Sequence, residues 1–192
     1  MEKTALFGGS FDPIHLGHLV LAAEVVDRAA ADRVMFVPVA NPPHKDNKRV
    51  SPASHRLAMV KEAIADNPNF SVSDIEIVRG GVSYTIDTLR ELRDNGENVS
   101  LIVGADQVLE FETWKDYHRI VEAFPLILTT RKGYPSDLKA GKPYLEKAFM
   151  VEVPGIGISA TEIRARVRKG RSIRYLVPPR VEDYIRNHEM YR

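Results

Sequence analysis

Cysteine is absent from the 192 residues, which excludes disulfides, thiolate metal centres, iron–sulfur clusters and cysteine nucleophiles together. Nor is there an excess of charge of one sign. The 27 Lys and Arg residues face 26 Asp and Glu, a formal +1, so the molecule lacks the global field of a general nucleic-acid or membrane binder, and any polyanion must be met locally. No window approaches the run of about 20 apolar residues that a membrane-spanning helix needs. The short apolar run that ends at Gly8 and Gly9 is too brief for a signal-peptide core, and a soluble, cytoplasmic protein is expected. What is present is ordinary: hydrophobic residues make up 44% and charged residues 28%, values that disfavour disorder and suit a packed core. The length suits one domain over residues 1–192.

Short β-rich runs occur at 4–7, 34–37, 70–77, 99–103, 126–130 and 149–153. Between most of them lie segments with helical spacing, at 16–30, 52–65, 85–93 and 114–122. Strand, helix and strand in alternation predict an α/β fold: a Rossmann-like open parallel sheet with helices on both faces. From residue 159 onward the pattern changes to a small helical C-terminal part, with a helix at 161–168, a break at Gly170, and a last helix after Pro178 and Pro179 to about Asn187. The segment 41–49, rich in Pro and Lys, reads as an exposed loop, and 132–143 as a second loop.

The densest chemical signal is Gly8-Gly9-Ser10-Phe11-Asp12-Pro13-Ile14-His15-Leu16-Gly17-His18. It follows the first strand directly, at the carboxyl end where open α/β sheets bind ligands. Glycines allow close backbone approach, and the amino end of the following helix offers N–H groups and a positive dipole to phosphate. His15 and His18 are three apart and share one face of that helix, and Gly17 keeps a side chain out of the way. The spacing is neither the dinucleotide fingerprint nor a P-loop, and no His-Glu-x-x-His pattern supports zinc. A tight turn followed by two surface histidines is the plainer alternative.

The segment nevertheless resembles the signature of the nucleotidyltransferase superfamily with the His-x-Gly-His motif. Ile158-Ser159-Ala160-Thr161-Glu162-Ile163-Arg164 is similar to the superfamily's Ile-Ser-x-Thr-x-Ile-Arg element, with Ala160 where many members carry a second serine. Asn41-Pro42-Pro43-His44-Lys45, Ser83-Tyr84-Thr85-Ile86-Asp87-Thr88-Leu89 and Val103-Gly104-Ala105-Asp106, followed by Thr113-Trp114, resemble the bacterial nicotinate-nucleotide adenylyltransferases along nearly the whole chain.

That resemblance implies transfer of AMP from ATP to nicotinate mononucleotide, giving nicotinate adenine dinucleotide and pyrophosphate in NAD biosynthesis. It implies His15, His18 and Arg164 as catalytic residues. ATP would meet Gly8, Gly9, Ser10, Phe11, Gly17, Lys45, Gly104, Asp106, Ser159 and Thr161. Nicotinate mononucleotide would meet His44, Tyr84, Thr85, Trp114 and Lys115. Mg2+ is expected to arrive on the ATP phosphates, and no protein side chain is assigned to a metal. ATP and the mononucleotide are the expected partners, with no nucleic acid and no membrane, and a homo-oligomer is left open.

Read as residues alone, several of these positions have a second account. Trp114, the only tryptophan, suits a core position as well as a ring-stacking one. Ser159, Thr85 and Asp106 suit helix caps, and Lys45 a solvated loop charge. An acceptor phosphomonoester is largely ionised at neutral pH, since its second pKa is about 6, so direct attack needs neither a general base nor a covalent intermediate. Adenylyl transfer to nicotinamide mononucleotide or phosphopantetheine is the nearest competing activity. A non-catalytic nucleotide- or RNA-binding module using the acid-free stretch from Arg164 to Arg180 is the competing class, and its lone aromatic, Tyr175, argues against base stacking.

Overall fold

Among the described residues six strands form one wholly parallel sheet in the order β3-β2-β1-β4-β5-β6. The computed structural model describes residues 2–41, 50–131, 139 and 141–192. The strands are β1 Lys3–Gly9, β2 Arg33–Pro38, β3 Phe70–Val72, β4 Asn98–Gly104, β5 Leu126–Arg131 and β6 Phe149–Val153. The helices are α1 Leu16–Asp27, α2 Ala53–Ile64, α3 Ile75–Arg79, α4 Thr85–Asp94, α5 Ala105–Val108, α6 Tyr117–Ala123, α7 Ala160–Arg168 and α8 Pro179–Asn187.

Strand alternation divides the core in two, because successive side chains point to opposite faces. Ala5, Val34, Phe36, Ile102 and Ile127 face one side and pack with residues of α1, α2, α7 and α8, among them Val25, Met59, Ile163 and Val181. Leu6, Met35, Val37, Leu101, Val103 and Leu128 face the other, against Ile86 and Leu89 of α4 and Ile120 of α6. Helices therefore cover both faces, as a parallel sheet buried on each side requires.

Three element boundaries differ from the sequence reading by three residues or more. The helix expected at 16–30 ends at Asp27, just before Ala29 turns left-handed (φ 54°). The run at 70–77 is strand only to Val72; the Ser73 Oγ accepts the Ile75 N–H at 3.3 Å and turns the chain into α3, a side-chain turn that overrides the β propensity of Ile75 and Ile77. The helix expected at 114–122 begins at Tyr117, after a left-handed Asp116 (φ 53°), and Trp114 instead closes a single 3₁₀ turn over Phe111–Thr113.

At the amino-terminal edge of the sheet, Arg33 pairs with Glu97 at 2.7 Å, and the Thr4 hydroxyl donates to Glu97 Oε2 at 2.8 Å, tying together the starts of β1, β2 and β4. Burial tends to raise the Glu97 pKa, but the Thr4 hydrogen bond and the Arg33 guanidinium outweigh it and hold it below the usual 4.5. A lowered folded-state pKa means that the stabilisation is present above the unfolded value and is lost as pH falls through the folded one. Glu97→Gln should cost about 1 kcal/mol at pH 7 for this partly solvated network, a fall in Tm of about 3 °C. In thermal melts at a series of pH values the gap between variant and wild type should close below about pH 4. A gap that stays constant to pH 3 would remove Glu97 from this role.

Candidate active site

β1 and β4 are hydrogen-bonded neighbours as far as Leu6 and Leu101. Beyond that pair β1 stays with β2 to Gly9, and β4 stays with β5 to Gly104. A crevice opens between them at the carboxyl ends, the switch point at which open α/β sheets bind ligands. A cavity of about 600 Å³ occupies it, with Gly8, Gly9 and Ser10 on one wall and Tyr84, Thr85, Trp114 and Lys115 on another. A second cavity, of about 250 Å³, lies between the start of α1 and the start of α7, bordered by His15, Gly17, His18, Ile158, Ser159 and Ala160. Segment 8–18 thus lines both.

The folding of that segment explains its composition. Phe11 takes a left-handed backbone (φ 46°) and turns its ring into the core against Phe7 and Phe36. A Cβ on Gly9 would meet that ring at 2.8 Å, so glycine is required there by packing. The side chain of Phe11, expected at the nucleotide, is buried in the core and leaves only its main chain for the site. Gly17 has a similar reason: a Cβ there would press on the His15 ring at 3.1 Å.

His15 and His18 lie on one face and stack, with ring centroids 3.7 Å apart. His18 Nδ1 accepts the main-chain N–H of His15 at 3.2 Å, which fixes the neutral tautomer with the proton on Nε2. Burial, and then the proximity of His15, hold the His18 pKa well below 6.5. His18 therefore offers a neutral Nε2–H donor rather than a cation. The main-chain donors of the first turn of α1 are also partly committed, the Leu16 N–H to the carbonyl of Leu176 and that of His18 to His15.

Arg164, on α7, reaches across to segment 8–18: Nη1 donates to the main-chain carbonyl of Asp12 at 2.6 Å, and Nη2 to the Thr161 hydroxyl at 3.3 Å. Ser159 caps α7 by accepting the Glu162 N–H at 3.2 Å while bordering the smaller cavity, so the cap and the site position coincide. Of the other tail cations, Arg166 turns to Glu162 and to the Ser172 carbonyl, away from the site.

In the larger cavity the Trp114 ring packs on Phe111 at 5.1 Å yet still forms part of the wall, which joins the two accounts of this residue. The helix end beside it belongs to α4, and Thr85 is that helix's first residue. Lys115 lies over the Tyr84 ring at 4.3 Å and pairs with Asp87 at 3.0 Å. Gly104 ends β4 with its N–H bonded to Gln107 Oε1, and Asp106 is exposed on α5; neither borders the two cavities. His44 and Lys45 lie outside the described residues. Among the described residues no three His, Asp or Glu side chains gather as a metal site.

Three residues to which the sequence assigned no site role support this arrangement. Arg56 is 1% exposed and donates to the carbonyls of Ser10, Val39 and Ser51 at 2.7 to 2.9 Å. Its signal was available: it shares a helix stripe with Met59, Val60 and Ala63, where an arginine needs an explanation. Ser83 Oγ accepts the N–H groups of Ala40 and Asn41, and Tyr191 donates to Asp12. Nothing local in the sequence marks either contact.

Residues 6–166 match the family described as cytidylyltransferase-like. A protein of Thermus thermophilus named probable nicotinate-nucleotide adenylyltransferase is 46% identical over 192 residues, covering 99% of this chain and 100% of that one. One of the same name from Corynebacterium kroppenstedtii is 44% identical over 191 residues, covering 98% and 90%. The solved structure of Plasmodium falciparum nicotinic acid mononucleotide adenylyltransferase complexed with NaAD aligns with a TM-score of 0.82 at 20% identity, over 100% of this chain and 98% of that one. At that identity the likeness speaks for the fold.

The tautomer and charge of His18 can be read directly. In a ¹⁵N–¹H correlation spectrum of the unliganded protein, His18 should show a protonated Nε2 and an unprotonated Nδ1, and should remain neutral at pH 6, because its pKa is lowered. Titration near 6.5, or a protonated Nδ1, would contradict the geometry.

Proposed function

Because the chain belongs to the cytidylyltransferase-like family, we propose that it transfers AMP from ATP to nicotinate mononucleotide, yielding nicotinate adenine dinucleotide and pyrophosphate. The observation that carries this reading is the pair of cavities lined by one segment. The smaller holds the His15–His18 stack and the start of α7 and suits the triphosphate. The larger holds an aromatic wall and the amino end of α4 and suits a flat ring with a carboxylate. The relatives' names, at more than 40% identity over nearly the full chain, support the same acceptor.

The acceptor's 5′-phosphate is mostly dianionic at neutral pH and attacks the α-phosphorus of ATP. One P–O bond forms, the bridging bond to the β-phosphate breaks, and pyrophosphate leaves with its electron pair. No proton has to be removed from the nucleophile, so the protein's work is alignment and stabilisation of phosphoryl charge. His18 contributes a fixed Nε2–H donor to a phosphate oxygen, His15 holds the His18 ring in its stack, and Arg164 contributes a guanidinium with a geometry matched to phosphate. Mg2+ belongs to the substrate as the ATP complex, where it offsets phosphate charge.

The acceptor carboxylate is assigned to the amino end of α4. The Thr85 and Ile86 N–H groups there carry no helical partner, whereas Asp87 and Thr88 both bond to the Tyr84 carbonyl. An amide would set its own N–H donors against that end, which favours nicotinate over nicotinamide.

Coupled-enzyme assays of pyrophosphate release with ATP and each acceptor test the reading. Nicotinate mononucleotide should be the preferred substrate, and formation of no dinucleotide from it would sink the proposal. His18→Ala should lower kcat by about a hundredfold, the scale of one lost transition-state donor, with little change in Tm. Trp114→Ala should act chiefly on the KM of the pyridine nucleotide, raising it by about tenfold for one lost stacking face, and a change confined to the KM of ATP would displace the ring from this wall.

A further inference from the structure

Asp12 is 3% exposed, and its carboxylate is gripped from two directions. Oδ1 accepts the Tyr191 hydroxyl at 2.7 Å, and Oδ2 accepts the Ser51 N–H at 3.1 Å. The next-to-last residue of the sequence thereby reaches into the segment that lines both cavities. The chain adopts left-handed backbone at Glu189 (φ 50°) and Tyr191 (φ 65°) to do so, a conformation that non-glycine residues seldom take. The Tyr191 ring packs against the core, with its hydroxyl 3.9 Å from Met59 Sδ. Burial, and then the charge on Asp12, raise the Tyr191 pKa far above its ordinary range, so the hydroxyl stays a donor.

The main-chain carbonyl of the same Asp12 is the acceptor for Arg164 Nη1 at 2.6 Å, while the guanidinium stands 4.0 Å from Asp12 Oδ2. Two arrangements of the guanidinium thus compete: one on the carbonyl, and one as a closed ion pair with the carboxylate. A carboxylate that already holds one donor on each oxygen, Tyr191 on Oδ1 and Ser51 on Oδ2, has part of its charge offset and draws less on a further cation, which favours the first arrangement and keeps the charge of Arg164 available to phosphate. Without the tyrosine hydroxyl a buried carboxylate is left one donor short and draws in the nearest cation.

We propose that Tyr191 is a positioning residue: by anchoring the Asp12 carboxylate it keeps Arg164 on the Asp12 carbonyl, oriented toward the triphosphate. This rests on the role given to Arg164 above. Neither Asp12 nor Tyr191 borders the larger cavity, so the acceptor should bind as before when the hydroxyl is removed.

A double-mutant cycle in the pyrophosphate-release assay tests it, with Tyr191→Phe, Arg164→Ala and the combination. Tyr191→Phe should lower kcat by about tenfold, within the range that misplacement by a fraction of an ångström produces. The KM of the acceptor should be unchanged, and the substitution should add nothing in the Arg164→Ala background. Wild-type kcat in Tyr191→Phe, or the same loss persisting without Arg164, would overturn the proposal. Wild-type kcat in Arg164→Ala would instead overturn the catalytic reading of that arginine. Should Tyr191→Phe not fold by circular dichroism, Asp12→Asn is measured in its place: it keeps the carbonyl for Arg164 and removes the carboxylate that competes for it, so kcat should stay within about twofold of wild type, and a loss of about tenfold would overturn the proposal.

Discussion

A buried guanidinium is the constraint on which the site depends. Arg56 lies on the apolar stripe of α2 and is shut off from water, where an unpaired charge would be prohibitively costly. It is satisfied by main-chain carbonyls from three separate places: Ser10 after β1, Val39 after β2, and Ser51 before its own helix. Those are the loops at the carboxyl ends of the adjacent strands β1 and β2 and the entry to α2. Displacing any one of them strands a buried donor, so the three hold one another in register. The Asp12 carboxylate is the nearby countercharge, and it too is bonded to Ser51. Ser51 is thus fixed through both its N–H and its carbonyl. The crevice is preorganised by this network before any ligand enters, which is what catalysis by alignment requires.

How the positive character of the site arises follows from the same economy of charge. The His18 ring is kept neutral, Arg166 of the tail is spent on Glu162 and the Ser172 carbonyl, and the first-turn donors of α1 are partly spent on the protein itself. What lines the two cavities is a small set of fixed polar groups, His18 in the smaller and the start of α4 in the larger, with Arg164 held on the Asp12 carbonyl nearby. A chain with formal charge +1 needs no wide basic patch to bind a triphosphate if its donors are fixed in advance.

Much of the fold was legible because it rests on period and order. The six apolar runs, the intervening helical spacing and the glycine turn after β1 each express parallel-strand physics locally. The three boundaries that moved were decided by single residues, Ala29, Ser73 and Asp116, whose side-chain or left-handed turns outweigh a propensity summed over a window. The candidate site was legible at the His pair, at Ser159 through Arg164 and at Trp114, where motif and spacing coincide. Phe11 shows the limit: its place in the motif said nothing about the direction of its ring, which the left-handed backbone sends into the core. Tyr191 and Ser83 act through contacts that span 179 and 43 positions of sequence, and no local pattern carries such information.

The neutrality of His18 finally bears on the chemistry. A nucleophile that arrives already ionised has no proton to give up, so a cationic or basic histidine would add nothing at the attacking oxygen. Charge builds instead on the departing pyrophosphate and around the α-phosphorus. A neutral Nε2–H held by a main-chain hydrogen bond to the opposite ring nitrogen can donate there without first losing or gaining a proton as pH varies through the physiological range. Burial, which depresses the histidine's pKa, also strengthens the hydrogen bond it makes in a low-dielectric site. The same enclosure therefore removes the positive charge and improves the donor that replaces it, which suits a reaction that runs on positioning.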